Sequence, residues 1–234
     1  MQQKEWTIVD NMIQPMEMRP PSFLCINMIQ AIERLGFEDI YMRGSVTEEF
    51  IPHPKSDVDI IAFLDRNPHP NLRTEIQEAL RSFNRPCDVL VMSREAYMQN
   101  RALSLLGCTR SLSVSGRDTL LQPVPADMEL ARALWAQYNP SRYKDGYPPE
   151  RALITAKQLF RAVGVIRLVE DNRLSRQLYT CLQWAHEIAP SHVAETYEEM
   201  WFNLKRRTWQ SVPIEPVVEW LIQKSHIHNL QPIT

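Results

Sequence analysis

The chain has 234 residues, 44% hydrophobic and 23% charged, a composition that suits one large soluble domain or two small ones with a real core. Its net charge of −2 gives no basic surplus, which disfavours a protein whose main task is gripping nucleic acid. No apolar run reaches the roughly 18 residues that span a membrane, and the polar start lacks the apolar stretch of a signal peptide, so no membrane association is expected and the cytoplasm is the expected compartment.

In chain order, residues 1–21 read as irregular, with Pro15, Pro20 and Pro21 as breakers. Ser22 is placed to cap a helix running to about Leu35, which Gly36 ends. Asp39 to Arg43 reads as a short strand, and Val58 to Leu64 (VDIIAFL) as a stronger one, apolar and β-branched between polar flanks. A helix is predicted over 71–83, a buried strand over 88–92, a helix over 94–106 and a last strand within 111–121, broken by Gly116. The segment 121–125 (LQPVP) reads as a linker. Beyond it the pattern is helical only, over 127–138, 149–170, 175–189, 192–207 and 213–226, with Ser175 and Ser191 as expected caps. The four cysteines, Cys25, Cys87, Cys108 and Cys181, form no CxxC pair, so reduced and mostly buried thiols are expected. The domain expectation is 1–121 for the mixed half and 126–234 for the helical half.

The informative stretch is Gly44-Ser45, then residues 46–56, then Asp57-Val58-Asp59-Ile60. Two carboxylates two residues apart at a strand start point to the same side of the strand. Such a pair repels unless a cation neutralises it, and magnesium, which takes oxygen ligands and shares them with phosphates, is the natural candidate. Asp88 opens the next apolar strand, within reach of the pair at a strand spacing of about 4.8 Å. Three carboxylates around two magnesium ions form a clamp for in-line phosphoryl transfer, with Asp88 also the candidate base for an attacking hydroxyl. Gly44 allows close approach of a phosphate to the backbone, and the Ser45 hydroxyl can donate to it.

Met42-Arg43-Gly44-Ser45, Ser56-Asp57-Val58-Asp59-Ile60-Ile61 and Cys87-Asp88-Val89-Leu90-Val91, in that order, resemble the nucleotidyltransferase superfamily that shares its core with DNA polymerase beta. The resemblance covers roughly residues 22–121 and rests on the ordered triple, since Gly-Ser or Asp-x-Asp alone is common. Its architecture, a transferase core followed by helices, is similar to that of antibiotic (aminoglycoside) nucleotidyltransferases. It implies an α+β chain, a small mixed-sheet core and then an all-α bundle. It implies Asp57, Asp59 and Asp88 as catalytic metal ligands, and Gly44 and Ser45 as nucleotide-binding. Transfer of a nucleoside monophosphate, AMP from ATP, to a hydroxyl of a small acceptor such as an aminoglycoside-like antibiotic follows. The alternatives are the same chemistry on a protein or an RNA, as in a toxin–antitoxin pair, and a non-catalytic nucleotide-binding module. A surface loop rich in acids before a buried strand would account for each acid singly, but not for all three in the family's order.

The helical half carries weaker signals. Arg151, Thr155, Lys157, Gln158 and Arg161 fall on one polar sector of a helix, and Lys157 and Arg161, four apart, are the candidates for holding a triphosphate. A solvated helix face explains them as well. Trp201, Phe202, Lys205, Arg206, Arg207 and Trp209 interleave aromatic and basic residues, read as core aromatics with cations at a helix C-terminus rather than as a nucleic-acid platform. His53 lies in the loop before Asp57 and reads as a surface histidine. No Arg-x4-6-His spacing occurs within 122–234, which disfavours a ribonuclease. The sequence leaves open a homodimer or a protein partner.

Overall fold

The computed structural model describes residues 8–14, 23–35, 40–43, 57–64, 70–107, 112–113, 123–147, 151–206 and 212–230. It divides into two compact units, residues 13–124 and residues 1–12 with 125–234.

The first unit is built on a four-stranded mixed sheet. Strands β3 (Ile40–Arg43), β4 (Val58–Leu64), β5 (Cys87–Ser93) and β6 (Leu112–Ser113) lie in the order β5-β4-β3-β6. β4 runs parallel to β5 and antiparallel to β3, and β3 is antiparallel to β6. Period-2 alternation sorts the strand residues onto two faces. One face, with Ile40, Met42, Val58, Ile60, Ala62 and Val89, packs against helices α1 (Phe23–Glu33) and α2 (Leu72–Leu80) through Cys25, Met28, Ile32, Leu72, Ile76 and Leu80. Each of the larger side chains buried there stabilises the unit by about 1.5–3 kcal/mol before entropy is counted. The other face holds a smaller cluster of Tyr41, Ile61, Phe63 and Tyr97. Its rings meet edge to face, Tyr41 to Phe63 at 5.7 Å and Phe63 to Tyr97 at 5.4 Å, the arrangement that the ring quadrupole favours.

The helix predicted over 94–106 is two helices, α3 (Arg94–Gln99) and α4 (Arg101–Gly107). Ser93 starts α3 by accepting from the Ala96 N–H at 3.0 Å. Asn100 then leaves helical geometry, and its side-chain oxygen accepts from the Leu103 N–H at 3.1 Å, capping the second helix. Residues 8–13, read as irregular, contain the paired strands β1 (Ile8–Val9) and β2 (Met12–Ile13), with Asp10 and Asn11 between them at φ of 51° and 59°. Two positive φ values in a two-residue loop make the turn that matches strand twist. The Asn11 carbonyl accepts from the Ala126 N–H at 2.7 Å, which ties this hairpin to the start of the helical segment. The expected linker contains a short strand, β7 (Val124–Pro125).

The second unit is a bundle of α5 (Met128–Tyr138), α6 (Ala152–Asp171), α7 (Leu178–Ile188), α8 (Ser191–Arg206) and α9 (Glu215–Ile227). Asp127 caps α5, accepting from the Leu130 N–H at 2.9 Å. α6 is the axis: the other four helices pack on it, and it is buried continuously from Ala162 to Leu168. At Gly164 the contact is backbone to backbone, since an added Cβ would lie 2.3 Å from the Ser175 carbonyl oxygen. Ser175, expected from the sequence to cap α7, does not do so. It is buried, its hydroxyl accepts from the Gln177 N–H at 3.1 Å, and α7 starts three residues later. Ser191 is the first residue of α8 rather than its cap; the Pro190 carbonyl accepts from Val193 and Ala194. Arg167 is buried, paired with Asp171 and with Glu187 at 2.7 Å, its guanidinium 5.8 Å from the Trp184 ring centroid. Among the described residues, no helix is long and apolar enough to cross a membrane.

Candidate active site

β4 opens at Val58, directly after Asp57, and the Val58 N–H donates to the Pro86 carbonyl at 2.8 Å, which brings β4 and β5 into register from their first residues. That register sets Asp59 directly opposite Asp88. On the other side, the antiparallel register sets Asp59 opposite Arg43, the last residue of β3. Arg43, Asp59 and Asp88 therefore stand in a row across three adjacent strands. By alternation the row shares its face with Tyr41, Ile61, Phe63, Leu90 and Met92, opposite α1 and α2. Asp57 lies just before β4, two residues ahead of Asp59. Asp57 and Asp88 are exposed, and Asp59 and Arg43 are half-buried.

The remaining predicted residues divide clearly. Gly44, Ser45 and His53 lie outside the described residues, as do Ser22, Gly36, Gly116, Arg207 and Trp209. Lys157 and Arg161 are four apart on α6, in the second unit; Lys157 is exposed and Arg161 half-buried. The polar sector around them is interrupted, because Thr155 is only 1% exposed and Gln158 accepts a hydrogen bond from the Tyr143 hydroxyl. Phe202, expected in the core, is 56% exposed. Trp201 is half-buried, 6.3 Å from the Phe160 ring and 5.7 Å from the Tyr179 ring, with the Lys205 ammonium 5.1 Å from its centroid.

Sequence reasoning missed Arg43 as a member of the row, although its period-2 relation to Tyr41 was a usable signal. Cys87 neighbours the acids, but burial, with Asp88 and Asp59 adding to it and Arg73 opposing it, pushes its thiol up to about 11. It stays protonated at neutral pH and serves as a packing residue beside the α1–α2 core. Cys25 and Cys181 are likewise buried thiols, and burial raises them to about 11 and about 12.

Magnesium takes oxygen donors, keeps several waters and is commonly held by one or two carboxylates together with substrate phosphates. The chemistry of Asp57, Asp59 and Asp88 fits that demand. Among the described residues, no group of three or more His, Cys, Asp or Glu side chains is arranged to hold a metal by itself.

The architecture of the chain is an α+β core with a small mixed sheet followed by an all-α bundle. Its fold is similar to the crystal structure of spectinomycin adenyltransferase AAD(9) from Enterococcus faecialis with ATP and spectinomycin, at a TM-score of 0.58 and 14% identity over 87% of this chain and 98% of that one. No protein-family model matches the chain, and no curated protein matches it in sequence.

Proposed function

We propose that the protein is a metal-dependent nucleotidyltransferase that transfers AMP from ATP to a hydroxyl of a small acceptor of the aminoglycoside-like antibiotic class. The observation that carries this reading is the register that pairs Asp59 with Asp88, with Asp57 two residues away, at one end of the sheet. The fold shared with an adenyltransferase crystallised with ATP and spectinomycin supports the choice of ATP and of an antibiotic-like acceptor.

In this reading Asp57, Asp59 and Asp88 hold magnesium, two ions in the full complex. Bound there, the metal supplies Lewis-acid stabilisation of the triphosphate and lowers the pKa of the attacking hydroxyl. The chain's own residues do the rest. Asp88, which is exposed near the start of β5, takes the acceptor's proton in this reading. Gly44 and Ser45, directly after β3, bind the triphosphate through backbone N–H groups and the hydroxyl. Lys157 and Arg161 are further candidates for its charge. The concentration of carboxylates would also favour an acceptor bearing amines.

Calorimetric titration of ATP into the wild type and an Asp57→Ala/Asp59→Ala variant, with and without magnesium, tests the reading. Wild type is expected to bind ATP only with magnesium, and the variant, shown to be folded by circular dichroism, is expected not to bind. An acceptor screen with labelled ATP would follow. If the wild type binds no nucleoside triphosphate, the transferase reading fails and a partner-binding role replaces it.

A further inference from the structure

The acidic row ends in a cation that the proposed chemistry has not yet used. Arg43 closes β3, its Cα opposite that of Asp59, which is in turn opposite Asp88. The residue is half-buried, and its Nε is shielded from solvent with no hydrogen-bond acceptor in the protein. A buried N–H without a partner costs as much as a lost hydrogen bond, and native structures keep few of them. The Nε atoms of Arg167 and Arg176 in the helical unit also lack an acceptor, but that of Arg43 stands in a row with Asp59 and Asp88, where a ligand can supply one.

The chemistry of that ligand follows from its surroundings. A guanidinium offers a planar fork of donors that matches the paired oxygens of a phosphate or carboxylate. The carboxylates beside it repel a polyanion, and a fixed cation at the end of the row opposes that repulsion. The residues that follow Arg43 in the chain are Gly44 and Ser45, the candidates for close approach to phosphate.

We propose that Arg43 is a substrate-contact residue of this site, its guanidinium donating to the terminal phosphates of the nucleoside triphosphate. The assignment rests on the nucleotidyltransferase reading and deepens it. It predicts selectivity for the triphosphate end of the nucleotide, as distinct from its base or α-phosphate.

The test measures binding of ATP, ADP, AMP and inorganic tripolyphosphate, each with magnesium, to wild type, Arg43→Gln and Arg43→Lys. Loss of a charge-assisted hydrogen bond predicts a fall of about tenfold to a hundredfold in affinity for ATP and tripolyphosphate in Arg43→Gln. AMP binding should change less than about threefold, a difference that a general loosening of the fold would not produce. Arg43→Lys, which keeps the cation but not the fork, should recover part of the loss. It also stands in as the reporter, with a severalfold loss confined to the triphosphates, if Arg43→Gln fails to fold. Wild-type binding matched by the variants, or an equal loss for AMP and ATP, would overturn the Arg43 assignment while leaving the transferase reading intact. A wild type that binds none of the four probes overturns both.

Discussion

Gly164→Ala tests the packing logic of the helical unit. The added Cβ would sit 2.3 Å from the Ser175 carbonyl oxygen, 3.5 Å from its carbonyl carbon and 3.7 Å from Cys181 Sγ. An ordinary carbon–oxygen contact is about 3.3–3.6 Å, so α6 and the segment carrying Ser175 must separate by roughly 1 Å. The close neighbour is backbone, which cannot rotate aside. Separation would stretch the Cys181 Sγ–Ser175 carbonyl contact of 3.5 Å and disturb the turn in which the Ser175 hydroxyl receives the Gln177 N–H. Overpacking of this kind costs about 1–3 kcal/mol. Alanine's better helix propensity returns up to about 1 kcal/mol. The net expectation is destabilisation by about 1–2 kcal/mol, or a midpoint lowered by roughly 2–8 °C for a chain of this size. Thermal unfolding followed by circular dichroism measures it. Reaction of Cys181 with a thiol reagent under native conditions reports whether the helices have parted, since the wild-type thiol is fully buried. A variant that melts at or above the wild-type temperature would refute the argument, because propensity would then have outweighed the contact.

The other predictions concern charge. Asp88→Asn should reduce adenylyl transfer to a small acceptor by at least about a hundredfold, measured as turnover of labelled ATP, if Asp88 takes the acceptor's proton. Burial alone would raise the Glu170 carboxyl, but hydrogen bonds from Lys224 at 2.6 Å and from His228 at 3.0 Å override it, and its pKa is lowered from 4.5. Because the folded value is the lower one, the stabilisation is fully present above the unfolded value and is lost as pH falls through the folded value. Urea unfolding of wild type should therefore show a midpoint that declines as pH is lowered below about 4.5, and Glu170→Gln should flatten that decline. An unchanged slope in the variant would show that other carboxylates carry it.

The first unit was legible because its signals were periodic. VDIIAFL reads as a strand from its β-branched run, and the structure gives β4 the same bounds. The spacing of Asp57 and Asp59 announces a shared side, but only the register shows that Asp59 faces Asp88 and Arg43. The break at Asn100 was hidden, because an asparagine inside an apolar periodic segment looks the same whether it faces solvent or caps the next helix. The hairpin at Asp10-Asn11 carried a readable signal, two residues tolerant of positive φ, and was missed among the prolines downstream. In the helical half, a polar sector drawn by spacing alone included Thr155, which is buried. Small hydroxyl residues satisfy themselves inside a bundle, so their polarity does not mark a solvent face.

The alternation along β4 has an evolutionary consequence. Val58, Ile60 and Ala62 fill one apolar core while Asp59, Ile61 and Phe63 serve the opposite face. A single codon inserted or deleted between positions 58 and 63 would exchange the faces of the residues on one side of the change, driving a side chain of the acidic face into the packed interior or an aliphatic core residue out of it. Point substitutions in this strand can be sampled one at a time, each with a modest cost, but changes in its length cannot. Descendants of this chain are therefore expected to differ in the identity of the strand's apolar residues while preserving its residue count, with insertions and deletions accumulating elsewhere.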